Sequence, residues 1–171
     1  RGIVAMRMDG SVVDLQRELH DGADVEPIEA TSEDGLNIIR HSATHVMAQA
    51  VQQLYPEVNL GIGPFITDGF YYDFGNIEPV TPEVLIELEK RMKRIVKENQ
   101  RFVRRVTTEE SARKELSDQP YKLELIGTKG KGAEGASVEV GGGELTIYDN
   151  VRRNGEVAWK DLCRGPHVPS T

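Results

Sequence analysis

The spacing of apolar and polar positions changes character along the 171-residue chain. In residues 3–30 it alternates weakly. Ile3-Val4-Ala5-Met6-Arg7-Met8 and Ser11-Val12-Val13-Asp14-Leu15 flank Asp9-Gly10, and Asp-Gly between two apolar runs predicts a hairpin. Residues 22–30 have room for a third short strand. Thirty residues with so few large apolar side chains are marginal alone, so this stretch reads as a small appended β module or fragment. From Leu36 the period turns helical. At about 100° per residue, Ile39, Ala43, Val46, Met47, Ala50 and Leu54 share one stripe, and Tyr55-Pro56 ends the helix. His41 and His45 fall nearly opposite that stripe, which places them toward solvent or a cleft and not in the core.

Residues 59–66 and 69–74 read as two strands around Thr67-Asp68-Gly69. Thr81-Pro82-Glu83 starts a second helix: a hydroxyl cap, proline at the first helical position and an acid beside the positive end of the dipole. Val84, Leu85, Leu88, Met92, Ile95 and Val96 carry its apolar face. A strand follows at 102–106. Thr107 and Glu110 have capping-box spacing for a short helix reaching Leu116, and another short element begins at Tyr121. Residues 127–143 hold seven of the seventeen glycines, as a flexible loop or hairpin would. They match no phosphate loop, because Ala133 follows Gly132. Strands are expected at 144–148 and 157–162. Helices interleaved with hairpins predict an α+β domain of two layers, of α-β-β-α-β-β type, with the helices on a largely antiparallel sheet.

Charge narrows the function. With 28 acidic and 21 basic residues the chain carries a formal −7. That argues against broad charge-driven binding to nucleic acid, though not against a local basic groove. Lys90, Arg91, Lys93, Arg94, Arg101, Arg104 and Arg105 form such a cluster, either a solvated face or a phosphate track. No apolar run could cross a membrane. A start at Arg1-Gly2 without an apolar leader implies no signal peptide and a piece of something longer. The single cysteine, Cys163, forbids an internal disulfide and fits a reducing cytoplasmic setting.

Two pairs of residues could carry chemistry. His41 and His45 lie four apart on the first helix, which puts both imidazoles on one face. Cys163 and His167 also lie four apart, but Gly165-Pro166 between them makes a tight turn. Three imidazoles and a thiolate are a soft tetrahedral ligand set suited to zinc. The same groups without metal could bind a small polar substrate and move a proton. Ser42 stands where a zinc protease has its glutamate, so that reading is weak.

Ile39-Arg40-His41-Ser42-Ala43-Thr44-His45, Gly61-Ile62-Gly63-Pro64, Gly69-Phe70-Tyr71-Tyr72-Asp73 and Asp161-Leu162-Cys163-Arg164-Gly165-Pro166-His167 resemble, in order, the editing domain of bacterial threonyl-tRNA synthetases. Residues 33–171 would be that domain. Residues 1–32 resemble part of the β-grasp segment that precedes it, with a linker. The paired motifs alone would equally fit alanyl-type, zinc-dependent editing proteins.

The resemblance implies hydrolysis of the ester between serine and tRNA(Thr), with the acceptor end and the remaining synthetase domains as partners and no membrane. By motif, His41, His45, Lys122, Asp161, Cys163 and His167 would be catalytic. Gly61, Gly63, Pro64 and Tyr72 would hold the aminoacyl group and terminal adenosine. No cofactor would be needed for editing. His41, His45, Cys163 and His167 remain the alternative zinc ligands. ATP and the zinc of the aminoacylation core would belong to other domains, which would also supply most of the tRNA affinity. A non-catalytic module docking the tRNA acceptor end is the other reading.

Overall fold

The computed structural model describes residues 2–128 and 144–171, and the expectation for the glycine-rich region lies almost wholly outside them. The N-terminal hairpin is β1 (Ile3–Met8) and β2 (Ser11–Val13), joined by Asp9-Gly10. The third strand, β3 (Val25–Glu29), pairs antiparallel with the other side of β1, giving the order β2-β1-β3. Next comes α1 (Glu33–Leu54), capped by Ser32, whose hydroxyl accepts from the Gly35 amide. That hydrogen bond satisfies one of the orphan donors at the helix start.

Residues 59–75 do not form the two continuous strands expected. They form four two-residue strands, with β4 (Asn59–Leu60) pairing β7 (Phe74–Gly75) and β5 (Phe65–Ile66) pairing β6 (Gly69–Phe70). The backbone between the two ladders is held by local bonds instead, Gly61 N–H to the Asp73 carbonyl and Asp73 N–H to the Ile62 carbonyl. The second helix, α2 (Pro82–Glu98), starts where the sequence placed it, with Thr81 as cap and proline in the first turn. Leu88 and Ile95 are buried, but Leu85 and Val96 are exposed, so the apolar face is narrower than the wheel suggested.

The largest sheet is β8 (Arg101–Thr107), β9 (Leu145–Val151) and β10 (Val157–Leu162), antiparallel in the order β10-β9-β8. Between β8 and β9 in sequence lie α3 (Glu109–Glu115) and α4 (Pro120–Thr128). The cap of α3 is Thr108, one residue later than expected, and its hydroxyl accepts from the Ser111 amide. The whole is an α+β fold of helices and small antiparallel sheets.

One core cluster joins α1 (Val46, Ala50, Val51), α2 (Leu88, Ile95) and the large sheet (Phe102, Tyr148, Trp159). A smaller one sets Ala5 and Ile28 of the N-terminal sheet against Ile38 of α1. The first helix therefore has neighbours on several sides at once. Gln49 accepts from the Asn150 side chain and Gln52 from the Trp159 indole, both across to the large sheet.

Candidate functional site

The helix wheel misplaces the histidine pair. His41 is 3% exposed and His45 1%, whereas Ile39, one member of the expected stripe, is exposed. The reason is tertiary. The polar side of α1, with Ser42, Thr44, His45 and Gln49, is the side that meets the large sheet and the turn after β10. A buried polar surface is stable only when its groups find partners, and here the partners form the site.

The turn after β10 brings Cys163 and His167 against that face. Cys163 Sγ lies 3.3 Å from His41 Nε2 and 3.4 Å from His167 Nε2, and receives the Gly165 amide at 3.2 Å. The His167 ring is 4.1 Å from that of His45 and 4.4 Å from that of His41, centre to centre. Ser42 organises this corner. Its hydroxyl donates to the Ile38 carbonyl at 2.8 Å, accepts the Val168 amide at 3.1 Å and sits 3.1 Å from His167 Nδ1. With its own proton committed, Ser42 accepts from His167, which assigns the proton to Nδ1 and leaves a lone pair on Nε2. His41 is hydrogen-bonded to the Pro166 backbone, so its Nε2 likewise turns a lone pair toward the thiol. Two imidazole acceptors thus face one thiol proton.

All three imidazoles are held neutral. Burial pushes His41 down to about 4, with the charges of Arg164 and Lys122 acting in the same direction. Burial likewise holds His45 and His167 well below the usual range, reinforced by neighbouring groups of the cluster. Among the described residues His45 Nδ1 is buried without a hydrogen-bond partner. Such an orphan in a polar cluster is where a ligand group or ion would be received.

Beside the histidines lies an ion pair with no exposed surface. Lys122 Nζ is 3.1 Å from Asp161 Oδ1, and both side chains are 0% exposed. Lys122 comes from α4 and Asp161 from β10. The Tyr72 hydroxyl donates to Asp161 Oδ2 at 2.6 Å, and Lys122 also lies 5.5 Å from the centre of the Tyr72 ring. Burial pushes the Asp161 carboxyl up, and the Lys122 ammonium and Tyr72 hydroxyl oppose it. Of the adjacent tyrosines, Tyr72 is buried and Tyr71 exposed.

The glycine loop packs on this group. A Cβ on Gly63 would come within 2.3 Å of Tyr72 Cδ2 and 3.1 Å of Thr44 Oγ1, so only glycine lets the backbone approach so closely. His41, His45, Cys163 and His167 thus form one cluster, Lys122, Asp161 and Tyr72 form a second group beside it, and Gly63, flanked by Gly61 and Pro64, packs on Tyr72. The sequence reading missed Ser42, although it lies within the histidine motif. It also missed Thr146, whose hydroxyl donates to the Cys163 carbonyl, and nothing in the local pattern marks it.

The donor set fits a soft cation. One ligand atom from each of His41, His45, Cys163 and His167 lies within 4.8 Å of the others, and all four residues are buried. Imidazole and thiolate donors at that spacing could close on zinc with modest adjustment. The basic cluster, left open between a solvated face and a phosphate track, is largely neutralised. Arg91 and Arg94 pair with Glu87, Lys93 with Glu89, Arg104 with Glu144, and Arg105 with Glu115 and Asp149.

No family model matches the chain. Individual proteins do. Over all 171 residues the chain is 94% identical to a threonine–tRNA ligase of Cutibacterium acnes. It is 61% identical over 174 aligned residues to one of Streptomyces griseus, and 58% over 178 to one of a Nocardioides species.

The chain is homologous to a segment of threonine–tRNA ligases.

It spans 25–27% of the length of those relatives while being covered almost completely itself. The four motifs singled out in the sequence therefore sit in a threonine–tRNA ligase segment, and that segment folds their side chains together. Among the described residues no helix is long and apolar enough to cross a membrane.

Proposed function

We propose that this segment hydrolyses the ester linking serine to the 3′ end of tRNA(Thr), removing the product of mistaken serine activation in the cytoplasm. The observation that carries the reading is the buried meeting of three neutral imidazoles and a thiol with the Lys122–Asp161 pair, in a homologue of threonine–tRNA ligases. Serine lacks one methyl of threonine, and a missing methyl is worth only about 1–3 kcal/mol in a pocket. A second, hydrolytic sieve repairs what that difference cannot reject.

In this reading a neutral imidazole of the His41–His45 pair accepts a proton from water as its oxygen attacks the ester carbon. Depressed basicity keeps that lone pair available at neutral pH. Lys122 meets the negative charge that develops on the carbonyl oxygen. Asp161 and Tyr72 hold the ammonium in place. The carbon–oxygen bond to the ribose then breaks, and the ribose oxygen takes up the proton. The rigid backbone at 61–64 and the Tyr72 ring exclude threonine's extra methyl. Crowding by one methyl costs about 1–3 kcal/mol, and displacement of the ester by about 1 Å slows the chemical step about 10²-fold.

No metal is required in this reading, because four protein donors would complete a tetrahedral zinc site and leave no position for water. The partners are the tRNA acceptor end and the rest of the ligase. Support for an anionic partner comes from a cleft of about 500 Å³ whose lining includes Arg17 and Arg164, beside the paired Arg104 and Glu144. Among the described residues Arg17 and Arg164 make no ion pair.

The deciding experiment is deacylation of serine- and threonine-charged tRNA(Thr) in parallel by this chain. Serine is released and threonine spared, and His41→Ala or Lys122→Met slows release by about 10²-fold or more. Binding without hydrolysis would favour the docking-module reading instead. Equal hydrolysis of both esters would remove the account of selectivity.

A further inference from the structure

The expected boundary near residue 32 separates a small β module from the site, yet one side chain of that module reaches the site directly. Asp14 follows β2. Its Oδ1 accepts the His167 backbone N–H at 2.9 Å, and its Oδ2 accepts the Tyr148 hydroxyl at 2.6 Å. These partners lie 153 and 134 residues away in sequence. Both bear on the same imidazole. The Tyr148 ring stands edge-on to His167, 4.6 Å between centres.

The Tyr148 hydroxyl also fills the space against Gly165. A Cβ there would come within 2.0 Å of the phenolic oxygen, and Gly165 has a φ of +72°. The turn from Cys163 to His167 is therefore seated on Tyr148, and Tyr148 is held by Asp14. The Tyr148 hydroxyl donates to Asp14 from this packed position. Charge-assisted bonds of this kind are short and directional.

We infer that Asp14 is a positioning residue for His167, so that the N-terminal β module is a working part of the site. Asp14 touches no reacting atom. It fixes the backbone and the packing partner that set the His167 ring against Cys163, His41 and His45. Outer partners that orient a metal-ligating histidine are worth about 10–100-fold in affinity or activity, and an effect of that order is expected for a partner that places His167.

The rate part of this inference rests on the hydrolytic reading, whereas the positioning part is read independently by NMR of the histidine rings. Asp14→Ala and Asp14→Asn are compared with Asp9→Ala in the full chain. Asp9 serves as control because it also ties the β module together, holding the β2–β3 connection through the His20 ring and the Asp24 backbone N–H, and among the described residues its side chain bonds to no site residue.

Single-turnover release of serine from charged tRNA(Thr), with enzyme in excess, measures a rate constant that an unfolded fraction does not alter. Asp14→Ala lowers that constant about tenfold or more and shifts the His167 ring resonances. Asp14→Asn keeps one acceptor and restores part of both, while Asp9→Ala changes neither. An unshifted His167 in Asp14→Ala overturns the inference, as does an equal effect in Asp9→Ala. If the wild-type chain releases no serine, the hydrolytic reading fails and the ring resonances alone decide the role of Asp14.

Discussion

Lys122 and Asp161 show how much of a buried charge is invisible to sequence. The motifs place Lys122 and Asp161 at the site, but nothing in the sequence says that either leaves water or that the two meet. Folding removes both from solvent and sets them 3.1 Å apart. Removing one member of such a pair strands the other, at about 3–5 kcal/mol. Lys122→Met should therefore lose stability of that order in urea denaturation as well as activity. The double change Lys122→Met with Asp161→Asn should regain most of the stability and none of the activity. Stability unchanged in the single variant would contradict the buried pairing.

The three buried histidines, His41, His45 and His167, give a pH dependence of definite sign. Their folded pKa values lie below the unfolded value near 6.5, His41 at about 4. Between those limits the unfolded chain binds protons that the folded chain refuses. Stability is thus complete above about pH 6.5 and falls as pH drops toward 4, by about 1.4 kcal/mol per pH unit for each histidine. Thermal denaturation from pH 7.5 to 4.5 checks this. Replacing His41 with a neutral residue should flatten the slope.

At the scale of elements, the sequence reveals what local chemistry fixes. Asp9-Gly10 marks the first hairpin and Thr81-Pro82 the start of α2, because a turn or a cap is decided by a few adjacent residues. The inner face of α1 was misread, because a wheel ranks faces by hydrophobicity, whereas burial here follows neighbours on several sides. The segment 59–75 was read as two strands, because alternation cannot reveal that Gly63 must press against Tyr72. That contact supports its own prediction. A Cβ at position 63 would drive the Tyr72 ring off its place, so Gly63→Ala should loosen the hold on Asp161. Serine release should slow, with little change in overall helix content by circular dichroism. A variant with full activity would show that the close approach is unimportant.

For the whole molecule, the site draws His41 and His45 from α1 and Cys163 and His167 from the far end of the chain. The motifs made those four legible, but nothing local announced Asp14, whose partners are supplied only by tertiary packing. Because the four donors form a closed ligand set, zinc should act as an inhibitor. Added zinc should slow serine release and a chelator restore it. Activity that rises with zinc would instead favour a metal-dependent reaction.

The distance in sequence between α1 and the turn it receives has a further consequence during synthesis. Ser42 waits for His167 while 125 residues are added, roughly 6–25 s at ordinary ribosome speeds. Through that interval the inner face of the helix lies open to the cell. An oily face would invite aggregation over such a wait. A face of serine, threonine, histidine and glutamine is hydrated instead, so the same residues that build the site also keep the growing chain in solution until its last strand arrives.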